Sequence, residues 1–227
     1  MARPYFTPAL FAFLEDLAAH NDRDWFQRNR DRYEEHVKTP ALRFIVDFGP
    51  HLRAVSPHFD ADPRPSGGSL FRIHRDVRFS ADKSPYKTHA GIHFRHENGR
   101  DAHAPGFYVH LEPRGCLAAA GVWQPDAPAL SRIREAIAAR PARWQAVLDD
   151  PGVASLERFG EQLQRVPAGY AKDHPQAGEL RWKEYGVWRS LTHRDVLAAD
   201  ALERVATVFR RSAPFVKFLC EALGQPF

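Results

Sequence analysis

The feature that most limits the fold is a double change of hydrophobic period along a chain of 227 residues. Up to about residue 56 apolar side chains recur at helical spacing. From about 66 to 124 they alternate as in strands, and from 125 onward the helical spacing returns. Leu10, Phe13, Leu14 and Leu17 form one buried stripe behind Thr7-Pro8, an N-cap followed by proline at the first helical position. Trp25, Asn29, Tyr33 and Val37, flanked by Phe26, line a second helix that Asn21 is placed to cap, and a third helix spans 41–55. Segments 70–80, 88–96, 107–112 and 116–123 read as strands, the last two joined by Pro113-Arg114-Gly115. Short connections between consecutive strands imply an antiparallel meander of about four strands.

In the last part, Leu130, Ile133 and Ile137 make one helical stripe, and Trp144, Val147 and Leu148 another. Leu202, Val205, Ala206 and Phe209 open a long final helix that Pro214 is expected to break or kink. A polar stretch, 167–189, lies between them. The expected architecture is α+β within one domain, 1–227: a helical layer (1–56), an antiparallel sheet (66–124) and a second helical layer (125–227). Trp25, Trp123, Trp144 and Trp188 are expected as core anchors; Trp182 and Tyr170 lie in the polar stretch, where a pocket mouth is the alternative to the core position that is the better expectation for each.

Composition removes several classes of function. No apolar run approaches the roughly 20 residues that span a bilayer. The N-terminal stretch carries Glu15 and Asp16 where a secretory signal would be apolar. The expectation is a cytoplasmic protein without a membrane partner. Two cysteines, Cys116 and Cys220, stand far apart and exclude a cysteine-rich zinc site. The net charge of +4 allows an acidic partner without demanding one. Along the second helix, Arg23, Arg28, Arg30, Arg32 and Lys38 face Asp22, Asp24, Asp31, Glu34 and Glu35, with i,i+4 pairs expected at Asp24–Arg28 and Arg30–Glu34. This cancellation describes a solvated face and argues against nucleic acid.

One segment concentrates the chemistry. Residues 72–89 read RIHRDVRFSADKSPYKTH, with five bases (Arg72, Arg75, Arg78, Lys83, Lys87) against two acids (Asp76, Asp82). Strand alternation puts Arg72, His74, Asp76 and Arg78 on one face and Phe71, Ile73, Arg75, Val77 and Phe79 on the other. Arg75 is the anomaly of that apolar face. It must meet a carboxylate, meet a ligand or turn outward, because burying an unpaired guanidinium costs several kcal/mol. The turn 80–85 follows, and Tyr86 and Lys87 begin the next strand on opposite faces.

Arg72, Arg75, Asp76, Arg78, Phe79, Asp82, Lys83, Tyr86 and Lys87 spell R-x-x-R-D-x-R-F-x-x-D-K-x-x-Y-K. This pattern resembles the signature of a bacterial family catalogued as domain of unknown function 2461. Asn21, Arg23-Asp24-Trp25-Phe26, Asn29 and Tyr33 are similar to the family's opening helices. Gly169-Tyr170, Asp173-His174-Pro175 and Lys183 resemble its C-terminal motif, with Ala168 where the family often has Lys. The resemblance implies which residues matter and no reaction.

The leading expectation is an enzyme or ligand-binding domain for a small phosphorylated or carboxylated molecule. Arg72, Arg75, Arg78, Asp82, Lys83 and Lys87 would bind it, with Tyr170, His174 and Lys183 contributing from the C-terminal stretch. His74, His89, Asp76 and Tyr86 are the candidate acid, base and hydroxyl groups. One alternative is a non-catalytic protein whose basic segment docks an acidic partner or a nucleic-acid backbone. Another is a purely structural salt-bridge network, with Glu112 or Glu184 completing the pairing. A metal site at His89, His93 and His110 is the remaining option, although HExxH is absent. No P-loop, dinucleotide fingerprint or G-x-S-x-G occurs, so no motif names a cofactor.

Overall fold

The computed structural model describes residues 3–99 and 104–227. Thr7 is extended and Pro8 opens α1, Pro8–Ala19, which buries Leu10, Phe13, Leu14 and Leu17 as its spacing requires. The helix after it is capped by Asp22, not Asn21: the Asp22 carboxylate accepts from the Trp25 amide at 2.8 Å. It divides at Asn29 into α2, Arg23–Arg28, and α3, Arg30–Tyr33, and continues through a π-helical turn, Glu34–Lys38, into α4, Thr39–Val55. Pro40 offers no amide to that last helix, and widening the turn before it accommodates the missing hydrogen bond. The expected i,i+4 pairs are replaced. Glu34 takes Lys38 at 2.9 Å, Arg32 reaches Asp16 at 2.8 Å, and Arg28 donates to the Asp24 carbonyl.

The sheet has six antiparallel strands, two more than the meander expected. They are β1, Phe59–Asp60; β2, Ala90–His96; β3, Gly106–Leu111; β4, Cys116–Val122; β5, Glu157–Phe159; and β6, Tyr185–Leu191. Their order is β1-β2-β3-β4-β6-β5. β2 to β4 lie within a residue or two of their expected bounds. β6 comes from the part read as helical and pairs with β4 along its whole length, from Cys116↔Leu191 to Val122↔Tyr185. Segment 70–80 is not a strand. Leu70 bridges Ile92, the register then changes, and His74 bridges Tyr86, so the segment doubles back on 85–87. The Arg75 amide donates to Pro85 O and the Lys87 amide to Ile73 O.

The remaining helices are α5, Ala127–Ala139; α6, Pro141–Leu148; α7, Pro151–Ala154; α8, His193–Leu197; and α9, Ala201–Ala222, with a 3-10 turn at Glu179–Arg181. Of the two outcomes expected at Pro214, a break does not occur: α9 runs through it. Phe209, Phe215, Phe218 and Leu219 on both sides of it are fully or almost fully buried, and that burial outweighs the ~3 kcal/mol proline penalty. Phe209 packs on Phe107 with ring centroids 4.8 Å apart, and Phe48 of α4 stacks on Phe94 at 4.9 Å. Helices α4 and α9 therefore cover one face of β2 and β3. That inner face carries Ile92, Phe94, Phe107 and Val109, all buried.

The register places Gly91, His93, Tyr108 and His110 together on the opposite, outer face. Trp144 is fully buried, whereas Trp123 is half exposed and anchors no core. Cys116 and Cys220 are buried free thiols. Among the described residues no helix is long and apolar enough to cross a membrane.

Candidate functional site

The charged segment is partly self-neutralised. Arg75, the anomaly of the apolar face, meets the Asp82 carboxylate, and Ser84 donates to the other Asp82 oxygen through its amide (2.9 Å) and its hydroxyl. These bonds hold the Asp82 carboxyl well below the usual range. The Arg78 guanidinium grips Asp76 through two of its nitrogens, Nε donating to Oδ1 at 2.9 Å and Nη2 to Oδ2 at 2.6 Å, which lowers the Asp76 pKa to about 2. Both pairs are structural pins of the turn and not free anchors.

Three cations are left over. Among the described residues, Arg72, Lys83 and Lys87 have no carboxylate partner. Lys83 donates to Val77 O at 2.9 Å, and Lys87 donates to Arg72 O at 2.7 Å while standing over the Phe71 ring. Burial, followed by the Arg72 charge, pushes the Lys87 ammonium pKa down. Phe79, expected to point inward, is 96% exposed at the turn, because the chain leaves the apolar face after Val77.

Lys87 and His89 continue the outer face of β2, four and two residues before Gly91. There they meet a row from β3. Tyr108 Oη and His110 Nδ1 are 3.0 Å apart, and His110 Nε2 lies 3.0 Å from Glu112 Oε2. Gly91 makes this row possible, since a Cβ at that position would stand 2.7 Å from the Tyr108 hydroxyl. The His89 ring lies against His110 with centroids 4.4 Å apart, and its nitrogens have no hydrogen-bond partner among the described residues. Burial, the neighbouring His110 and Lys87 lower the His89 pKa to about 4, against a smaller opposing pull from Glu112. Burial also raises the Tyr108 phenol, so it serves as a donor and not as a base.

Beyond the row, a cleft of about 440 Å³ opens between Leu14, Glu15 and Ala18 of α1 and the group Thr88, Glu112 and Arg114. The Tyr108–His110–Glu112 row was open to sequence reasoning as polar residues at i, i+2 and i+4 of one strand, but a wet sheet face or metal ligands explained it equally well.

The His89 shift has a consequence for stability. The folded-state pKa lies below the unfolded value of 6.5, so the unfolded chain binds more protons between those limits. The contribution is complete above about pH 6.5 and is lost as pH falls toward 4. Urea midpoints of the wild-type chain should drop more between pH 7.5 and 5 than those of His89→Asn. Parallel pH profiles would remove His89 from the account.

Other expected site residues stand elsewhere. Tyr86 is core: it is buried, its ring stacks on Phe26 at 4.1 Å, and burial raises its pKa, so it is no exposed hydroxyl donor. His74 is exposed beside it, with centroids 5.1 Å apart. His174 spends both ring nitrogens on backbone, Nδ1 accepting from the Gln176 amide at 3.0 Å and Nε2 facing Ala138 O at 3.2 Å. Lys183 pairs with Glu161 at 2.8 Å, and Tyr170 lies near Arg134 and Glu135 of α5. These contacts belong to α5 and the β5–β6 edge, while the basic segment lies on β2, so the structure does not bring the C-terminal motif to it. His93 pairs across strands with Tyr108. Among the described residues no group of three or more His, Cys, Asp or Glu side chains is disposed to hold a metal ion, which counts against the His89, His93 and His110 alternative.

The family model described as conserved hypothetical protein (DUF2461) matches residues 9–218. The chain belongs to this family. No curated protein matches the DUF2461 chain.

Proposed function

We propose that this DUF2461 chain binds a small phosphorylated or carboxylated molecule at the outer-face patch of Arg72, Lys87 and His89, as an enzyme or a ligand-binding domain. One observation carries the reading. After the turn has neutralised Arg75 and Arg78, Arg72 and Lys87 remain side by side without a carboxylate, next to a half-buried His–His–Glu cluster. A desolvated ammonium beside a guanidinium suits an incoming anion, because the ligand relieves a repulsion already present in the free protein.

Isothermal titration with sulfate, phosphate and acetate tests the reading on the wild-type chain, Arg72→Ala and Lys87→Ala. Each truncation should weaken anion binding by about tenfold to a hundredfold, the range for one charge-assisted hydrogen bond. An unchanged affinity in a folded Lys87→Ala chain would sink the assignment.

A second reading, docking of an acidic macromolecule, draws on Phe79, which stands exposed beside the Arg78 guanidinium at 5.8 Å. Binding to a nucleic-acid backbone would weaken steeply between about 50 and 200 mM salt. Titration of duplex DNA at those two concentrations distinguishes that case from a half-buried anion site.

A further inference from the structure

We propose that the ligand of this patch carries a phosphate-type dianion, and that its binding is completed by one proton taken up on His89. The inference rests on the anion-binding reading above and adds the ligand's charge.

The groups facing His89 are Lys87 two residues before it, His110 near the end of β3 and Glu112 just beyond that strand, with Glu15 and Arg114 bordering the cleft beside Thr88. In the free protein the ring is held neutral by burial, by His110 and by Lys87, and Glu112 alone favours its charge. Its nitrogens have no hydrogen-bond partner among the described residues, so an N–H formed there is available to an incoming ligand.

Counting charge decides between ligand classes. Arg72 and Lys87 supply two positive charges, and Glu112 supplies one negative charge. A monocarboxylate balances this set with His89 neutral. A dianion leaves one negative charge unmatched in a partly desolvated patch, where such an excess is costly. Protonating His89 restores the balance and gives the ligand a charge-assisted hydrogen bond. One proton leaves the buffer and joins an imidazole nitrogen for each dianion bound. By linkage, dianion affinity must then rise as pH falls, by up to about tenfold per pH unit.

Sulfate is the probe of choice, because it stays a dianion throughout this range while phosphate titrates. Isothermal titrations with sodium sulfate and sodium acetate at pH 7.5, 6.5 and 5.5, at fixed ionic strength and in two buffers of different ionisation heat, count the protons. Imidazole NMR of the wild-type chain follows His89 directly. Sulfate should tighten with falling pH, take up close to one proton and raise the His89 midpoint, while acetate affinity stays level. His89→Gln should still bind sulfate, without the pH dependence. Should that variant not fold, the wild-type NMR midpoint with and without sulfate decides the matter. Sulfate binding with no proton uptake and an unmoved His89 midpoint would overturn the proton linkage and leave the anion site standing. No binding of either anion at any pH would overturn the site itself.

Discussion

Replacing Glu179 with leucine is expected to cost about 2–4 kcal/mol of folding stability, somewhat less than breaking a fully buried ion pair from one side, because both side chains keep a fifth of their surface exposed. The Glu179 carboxylate accepts from three donors: Trp144 Nε1 at 3.0 Å, Arg158 Nη1 at 2.9 Å and Trp182 Nε1 at 3.3 Å. It thereby ties the 3-10 turn to α6 and β5, and the Tyr185 hydroxyl of β6 donates to its backbone carbonyl at 2.9 Å. Arg158 is enclosed by rings, 4.9 Å from Trp182, 5.2 Å from Phe215 and 5.9 Å from Trp144. Its Nε and Nη2 are buried with no hydrogen-bond acceptor among the described residues. Glu179 therefore supplies the carboxylate that compensates this guanidinium, and an apolar substitute would strand the charge together with two indole N–H groups. Urea denaturation of Glu179→Leu measures the loss. Replacing both partners, Arg158→Met with Glu179→Leu, should recover most of it, since the pair's own desolvation cost then disappears. A single-variant loss below about 1 kcal/mol, the level of an exposed pair, would show that the network contributes little.

This network was invisible in the sequence because its members come from four separate stretches, none with a local pattern. Strands β2 and β3 were legible because polar and apolar residues alternate along them, and β4 because it is a short apolar run joined to β3 by a tight turn. β6 alternates too, with Tyr185 and Val187 buried, but Lys183, Glu184, Arg189 and Ser190 around it gave the region a polar look. It gains its place in the sheet from pairing with β4, a contact made across more than sixty residues of chain. Segment 70–80 failed for the opposite reason. Its alternation was real, since Arg72, His74, Asp76 and Arg78 do share an exposed face, but a change of register after Leu70 turned it into a small hairpin on β2. Pro214 was read by the local rule, and the burial of its neighbours overrides that rule.

At the candidate site, residue type and spacing picked out Arg72, Lys87 and His89. They could not separate these from Arg75 and Arg78, whose neutralisation depends on where the turn places Asp82 and Asp76. Nor could the motif show that His174 and Lys183 serve other contacts, since a shared signature groups residues by order along the chain and not by distance.

Asn21→Ala is expected to cost about 2–4 kcal/mol, and its effect should concentrate on the candidate site. Released from capping by Asp22, Asn21 acts as a short substitute for a strand. Its Nδ2 donates to the Tyr86 carbonyl and its Oδ1 accepts from the Tyr86 amide, both at 3.0 Å. The clamp joins the α1–α2 turn to the residue just before Lys87, across a sequence separation of 65. Alanine leaves a backbone donor and acceptor of a buried residue without partners, a loss near the upper end for two hydrogen bonds. The Phe26–Tyr86 stack remains, so the segment stays attached while losing its register constraint. Hydrogen exchange separates the two consequences. The Tyr86 and Lys87 amides should lose protection well beyond what the global destabilisation predicts, because Lys87 N–H bonds Ile73 O only while the hairpin holds its place. Sulfate affinity should fall with them, as Lys87 and His89 are no longer held against Arg72 and His110. Aspartate at position 21 keeps the acceptor and loses the donor, so Asn21→Asp should lie between wild type and alanine. Protection at Tyr86 that merely follows global stability in both variants would mean that ring packing, and not the amide clamp, positions the basic segment.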